Sequence, residues 1–359
     1  MQAQIKKLDF TGQNIFAGLD VHLKQWTVTI RTETISHKTF SQPPKPEVLY
    51  NYLTKNFPGG TYYSAYEAGF CGFWIHNKLK SYGINSMIVN AADIPTTDKE
   101  KKLKADPRDS RKIARSLVNG DLEPIFVPSI KSIEDRTLLR TRSSLVKDIT
   151  RLKNRIKSFL YFYGIEFPEV FSKSDSHWSM KFMKWLEEIN FTEKSGKDSF
   201  AILISEVKNL RSALLQANRL IRDLSKTEAY NTNVFLLRTI PWIGIITSLT
   251  ILTELETLTR FSNFDKLCGY IGLVPSTKSS GDKEIIGEIT SRGHSVLRSA
   301  IIESSWVATR LDPALMLSYN EYCKRMEPNK AIIRIARKIL NRIRYVLKNK
   351  QPYKCLTVK

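Results

Sequence analysis

The chain has 359 residues, 42% hydrophobic and 25% charged, which is the balance of a folded protein rather than a disordered one and enough for two or three domains. Its 56 Lys and Arg against 35 Asp and Glu leave a net charge of +21, pointing to a polyanionic partner, nucleic acid before a membrane surface. No run reaches the roughly 18 apolar residues of a membrane span, and Lys6, Lys7 and Asp9 break up the start, so no membrane partner and a cytoplasmic, nucleoid-associated location are expected.

Taken in chain order, three short strands, Ile15 to Asp20, Trp26 to Arg31 and Ile35 to Phe40, are expected as a meander. The Pro-rich stretch from Gln42 to Pro46 opens a helix to about Asn56, and a strand from Thr61 ends at Glu67. A helix over Phe73 to Tyr82 and a strand over Asn85 to Val89 complete an α/β pattern with a mixed sheet. Residues 90–105 show no period and carry several charges, so they read as a mobile loop. A basic helix follows from Asp106 to Val118, with Asp106 as N-cap and Pro107 as first helical residue.

Beyond Ile130 the positions Leu138, Leu145, Ile149, Leu152, Ile156, Phe159 and Tyr163 form a heptad seam interrupted at Arg142. A second seam runs through Leu203, Val207, Leu210, Leu214, Ala217, Ile221 and Leu224. The two are expected to pack antiparallel, within one chain or between protomers, joined by an irregular helical connection over 164–196. Lys157 to Tyr163 joins a cation to aromatics, which suits phosphate contact plus stacking, although such a stretch taken alone is more often a core stripe with a solvated charged face. Past Tyr230 come a helix ending at Leu255, apolar residues over Phe261 to Tyr270, and a polar stretch. Then follow a helix from about Gly293 through Trp306 and an intensely basic helix from Lys330 to Asn349. The organisation expected is 1–128 as the α/β domain, 129–229 as a coiled-coil connector and 230–359 as a mostly helical C-terminal domain. Cys71, Cys268, Cys323 and Cys355 form no CxxC pair and the five histidines no HxH or HExxH, so zinc and disulfide frameworks are not expected.

Four acids stand out against the basic background. Asp20 and Glu67 end apolar strand-like runs, and Asp106 and Asp109 share one face of a helix start. A charge at the rim of a core is costly unless something positive holds it, and a divalent cation working on a phosphodiester meets that need. Asp106 and Asp109 have a plainer reading beside this one, since a helix N-terminus favours acids as caps.

The series Gly18-Leu-Asp20-Val-His-Leu-Lys24, Tyr66-Glu67-Ala-Gly69, Lys104-Ala-Asp106-Pro-Arg-Asp109-Ser-Arg111, Pro275 to Gly281, and Ser291-Arg-Gly-His294 with Leu297-Arg298 resembles the DEDD transposases of the Piv/MooV type. These mobilise insertion sequences of the IS-one-ten and IS-eleven-eleven groups. The resemblance runs in order over nearly the whole chain. It implies an N-terminal RuvC-like (ribonuclease H fold) domain, a coiled-coil connector and a C-terminal transposase domain with a nucleophilic serine. It further implies guidance by a structured non-coding bridge RNA that pairs with donor and target DNA, and action as a homo-oligomer, dimer or tetramer.

Carried over by position, Asp20, Glu67, Asp106 and Asp109 match the acidic tetrad that holds magnesium, with manganese as its alternative, and Ser280 matches the serine of a Ser-Gly motif. Ser279 adjoins it, so the assignment rests on Gly281. Lys283, Arg292, His294 and Arg298 are the candidates to activate the serine or hold phosphate, Arg298 first because a guanidinium fork matches phosphate oxygens. Arg334, Arg337 and Lys338 are expected on a nucleic-acid face of the last helix, though a charge run alone is usually a wet surface. Trp242 stands where the family usually has Gly in a segment resembling helix-hairpin-helix DNA-backbone binders, and its indole is the right size for core. Ala105, Ser110 and His294 replace commoner Thr, Ala and Asn. Two other functions fit the same residues: a metal-dependent nuclease or junction resolvase without a covalent serine step, and a non-catalytic nucleic-acid binder on a degenerate RuvC-like scaffold.

Overall fold

The structure is a computed structural model that describes residues 8–96, 106–240, 242–280 and 283–354, with the backbone alone at 106–107, 277–280 and 283–286. Most of the expected loop over 90–105 lies outside the described residues; only a short 3-10 turn at Ala91–Asp93, capped by Asn90, precedes it. The chain divides into two compact units, Met1–Val127 and Pro128–Lys359.

The first unit is built on a five-stranded sheet of β1 (Asn14–Val21), β2 (Trp26–Arg31), β3 (Ser36–Gln42), β4 (Thr61–Glu67) and β5 (Asn85–Val89), in the order β3-β2-β1-β4-β5. β1 pairs antiparallel with β2 and parallel with β4, and β4 is parallel to β5, so the sheet is mixed, as the alternation of strands and helices predicts. Five consecutive residues of β1, Ile15 to Leu19, are buried, the pattern of a strand covered on both faces. One face carries α1 (Pro46–Asn56) and α2 (Trp74–Ser81), whose Leu49, Leu53, Ile75 and Leu79 meet Ile15, Leu19, Val28 and Ile30. The other carries α3 (Asp106–Val118), whose Ile113 and Leu117 meet Phe16, Ala65 and Val89.

The second unit begins with α4 (Ile130–Phe162), followed by α5 (Met180–Glu188) and α6 (Lys194–Lys226). α4 and α6 pack antiparallel within the chain: Leu139 clusters with Ile221, Arg142 donates to Asn218 Oδ1 at 2.7 Å, and Leu152, Ile156 and Leu160 meet Phe200, Ile204 and Val207. Arg142, the break in the first seam, is therefore a cross-helix hydrogen bond. The seam itself drifts from the heptad expectation, since an α-helix, at about 3.6 residues per turn, turns slightly more slowly than a 3.5-residue repeat. Leu139 and Leu160 are buried, whereas Tyr163 is half exposed. The stretch after Lys157 divides: Phe159 packs on Phe191 and Phe200, while Tyr161 and Phe162 point to solvent at 88% and 82% exposure.

The remaining helices are α7 (Asn231–Arg238), α8 (Ile245–Leu255), α9 (Phe264–Ile271), α10 (Ser295–Leu311), α11 (Pro313–Cys323) and α12 (Pro328–Asn349). Between α9 and α10, where the sequence shows only a polar stretch, stands a two-stranded hairpin of β6 (Pro275–Ser280) and β7 (Lys283–Ile289). The basic helix α12 has one face for solvent and one for the core: Ile332, Ile335, Ile339 and Ile343 form the centre of a cluster with Leu237, Leu267, Leu297 and Ile301. Trp242 is buried in that cluster and meets Tyr353 edge-on, so it is core rather than a phosphate-approach position. Cys71, Cys268 and Cys323 are free thiols, and burial pushes that of Cys268 up to about 11. Among the described residues no helix is long and apolar enough to cross a membrane.

Candidate active site

β1 and β4 run parallel as neighbours, with Leu19 opposite Tyr66, so Asp20 and Glu67 leave the sheet side by side at its carboxyl edge. Ligands of open α/β sheets bind at that edge. Tyr66, fully buried just before Glu67, fixes the end of β4: its hydroxyl donates to Gly72 O at 3.3 Å and accepts the His76 amide at 3.1 Å, and burial raises its phenol above the usual range.

The third element is α3, and its approach is set by a missing side chain. A Cβ on Gly18 would overlap the Ser110 carbonyl and the Ala114 amide and lie 2.8 Å from Ala114 Cα, so only glycine lets the helix backbone rest on β1. Ser110 is buried at this contact and its hydroxyl reaches Thr29 Oγ1 at 2.9 Å, which gives the added oxygen a partner. Seated there, the first turn of α3 brings Asp109 to Glu67: Lys112 Nζ lies 3.5 Å from Asp109 Oδ1 and 3.6 Å from Glu67 Oε1. Just past the end of β1, His22 Nε2 sits 3.3 Å from Asp20 Oδ2. Asp106 is the first residue of α3, and its side chain lies outside the described ones.

Among the described residues no group of three or more acidic, histidine or cysteine side chains closes on one point as a metal cage. Between two of the acids there is instead an ammonium. Carboxylates from separate elements gathered round a positive charge are nevertheless the donor chemistry of a hard divalent ion, and the acids fit such an ion in kind. Lys112 and His22 are the site neighbours that sequence reasoning passed over. The spacing of Asp109 and Lys112, three apart on one helix, was the available signal for the first.

In the second unit β6 and β7 place Ser280 in register with Lys283, and Ser279 with Glu284, at the closed end of the hairpin. The side chains of Ser279, Ser280 and Lys283 lie outside the described ones. The hairpin's base is closely packed. Thr290 N donates to Val274 O and His294 N to Tyr270 O, and Gly272, at φ 82°, leaves no room for a Cβ beside Arg292 O and Arg298 Nη1.

The expected phosphate-holding residues divide by surroundings. Arg298 Nη1 donates to Thr290 O at 2.6 Å and is thus tied to the hairpin base. His294 caps α10, its Nδ1 accepting the Leu297 amide at 3.3 Å, which leaves Nε2 as the donor to Glu254 Oε2 at 3.0 Å. Arg337 donates to Leu273 O and Asp265 Oδ1, both at 3.0 Å, and Lys338 to Ser318 Oγ at 2.9 Å. Arg292 and Arg334 are exposed. Arg337 and Lys338 thus have intramolecular partners, Lys338 while remaining exposed to solvent.

Two segments match known families: residues 17–165 match the DEDD transposase domain of the IS110 group, and residues 235–320 match the domain described as Transposase IS116/IS110/IS902 family. A putative transposase of Sinorhizobium fredii is 26% identical over 68% of this chain, and the chain spans 58% of that relative's length. A transposase for an insertion sequence element of Leptospira borgpetersenii is 25% identical over 70% of this chain and 72% of its own. One of Coxiella burnetii is 25% identical over 71% and 70%. The class of domain these matches define is that of the insertion-sequence transposases. The chain carries two domains of the IS110/IS116 transposase group, in this order.

Proposed function

We propose that this chain is a DNA recombinase that excises and inserts an insertion sequence under the guidance of a structured non-coding RNA. In this reading the first unit is a RuvC-like domain whose Asp20, Glu67, Asp106 and Asp109 work on the phosphodiester, and Ser280 of the second unit is the nucleophile. The observation that carries it is the meeting of Glu67 and Asp109, from β4 and α3, on one cation at the carboxyl edge that also ends Asp20. Negative charge is gathered there within a chain of net charge +21.

The four acids would hold magnesium, or manganese, which when bound neutralises charge on the phosphate and polarises it. The covalent chemistry belongs to the serine. Ser280 Oγ attacks phosphorus and gives up its proton as the bond to the leaving strand breaks, producing a phosphoserine link and a free strand hydroxyl. A hydroxyl end of the exchange partner then attacks that link, and the serine recovers its proton. One phosphodiester is made for each one broken, so rejoining needs no ATP. Lys283, the register partner of Ser280, puts a cationic residue type opposite the nucleophile and supports its activation. For RNA and DNA, the exposed Tyr161 and Phe162 beside Lys157 offer stacking surfaces with a nearby charge. Exchange between two duplexes needs one serine per cut strand, which favours a tetramer at the synapse.

The test is a transposition assay supplying protein, element DNA and the element's non-coding RNA. Asp20→Ala, Asp106→Ala and Ser280→Ala are each expected to abolish excision and insertion while shifting unfolding free energy by less than about 0.5 kcal/mol. A denaturant-resistant protein–DNA adduct should form with the wild type and vanish in Ser280→Ala. Undiminished transposition by Ser280→Ala would overturn the covalent mechanism, and strand cleavage without any adduct would favour the nuclease reading. Equal activity with the RNA omitted would remove the guide.

A further inference from the structure

Lys112 lies one turn after Asp109 on α3, with its side chain only 10% exposed, against 31% for Asp109 and 35% for Glu67. Lysine is rarely buried, because its long stem ordinarily carries the ammonium out to water. Here the ammonium ends instead between two carboxylates from different elements. Neither acid needs this lysine to remain soluble, since each is about one-third exposed. The positive charge thus stands where the proposed function asks for a divalent cation.

We propose that Lys112 is the built-in counter-cation of the acidic cluster: it holds Glu67 and Asp109 together in the metal-free protein and competes with a divalent ion for their oxygens. This rests on the metal-dependent reading given above. Two consequences separate it from a purely structural lysine. The acids keep their arrangement without metal, since the ammonium screens their mutual repulsion. Metal affinity is set by displacement, below the value that the same carboxylates would have alone. An ammonium so displaced remains on α3 at the acidic edge, with three N–H donors for an oxygen of the bound phosphodiester.

The experiment uses the full-length chain stripped with chelator, and manganese(II) alone as probe, its binding followed by loss of the free-ion paramagnetic resonance signal. Lys112→Met keeps the length of the stem and removes the charge. It is expected to bind manganese about fivefold more tightly than the wild type, because a partly buried ion pair of roughly 1 kcal/mol no longer opposes the metal. Its thermal midpoint should fall in the absence of metal and rise further on adding manganese than that of the wild type. Lys112→Met/Asp109→Asn should lose that gain. Lys112→Gln serves as a second variant should Lys112→Met not fold, with the same direction expected. Equal or weaker manganese binding by both Lys112 variants, with the wild type binding, overturns the counter-cation. Absence of binding by wild type, variants and double variant alike overturns the metal reading itself, and Lys112 is then a structural cation only.

Discussion

Gly18 shows how a single residue can set the site. Its absent Cβ is the reason α3 lies directly on β1, and that contact carries Asp109 toward Glu67 and positions Ser110 against Thr29. Gly18→Ala would force the helix outward or the strand down, because the obstructing atoms are backbone and cannot rotate away. A loss of roughly 1–3 kcal/mol in unfolding free energy is expected, typical of overpacking, read from the urea midpoint. The same variant should lose the effect of manganese on thermal stability, since the carboxylates would separate; an unchanged midpoint would show that α3 does not depend on the glycine. Asp20 and Glu67 were legible in the sequence because each ends an apolar, strand-like run. Lys112 was not. Its meaning depends on Glu67, 45 positions earlier, and no local period reports a contact between a strand end and a helix.

At the scale of elements, α8 is tied to α4 and to the start of α10 through one carboxylate. Glu254, 2% exposed, accepts from Arg140 Nε and Nη2 at 2.9 and 3.0 Å and from His294 Nε2 at 3.0 Å. Arg136 Nε lies 2.9 Å from Glu254 Oε2, poorly aligned for a hydrogen bond and hence an ionic contact, while its Nη2 donates to Thr253 O. Burial alone would raise the Glu254 pKa; the bonds from His294 and Arg140 and the charge of Arg136 outweigh it and hold the carboxyl below its ordinary range. A pKa depressed by folding stabilises above the unfolded value, near 4.3 for Glu, and that stability is lost as pH falls through the lower folded value. Glu254→Gln should therefore cost about 3 kcal/mol at neutral pH, the low end for breaking a buried ion pair because Arg140 is half exposed. It should also flatten the acid limb of stability against pH, measured by urea unfolding from pH 3 to 7. A wild-type acid limb retained in the variant would assign that limb to other groups. The helices themselves were readable from their periods and caps. The hairpin of β6 and β7 was missed because Pro-Ser-Thr-Lys-Ser-Ser offers no apolar alternation, and α11 because its only buried hydrophobic residue is Leu315.

For the whole molecule, the net charge is +21, and the structure separates the cations into two kinds. Some, such as Arg337 and Arg298, have partners within the second unit; others, such as Arg334 on the same helix as Arg337, face solvent. Composition alone could announce the excess but not the division, because residues three apart on one helix differ only in what packs against them. Binding of RNA or DNA should weaken with salt on a double-logarithmic plot, with a slope of about −0.9 per phosphate contact for duplex and about −0.7 for single strands. Arg334→Ala should make that slope shallower by about one contact and leave unfolding unchanged. Arg337→Ala should lower the unfolding midpoint through its loss of Asp265 and the Leu273 carbonyl, with little change in slope. Fluorescence anisotropy across a salt series, paired with urea unfolding, separates the two effects. If Arg337→Ala changed the slope as much as Arg334→Ala while keeping full stability, the inner cation would be a nucleic-acid contact and its carboxylate partner only a resting place.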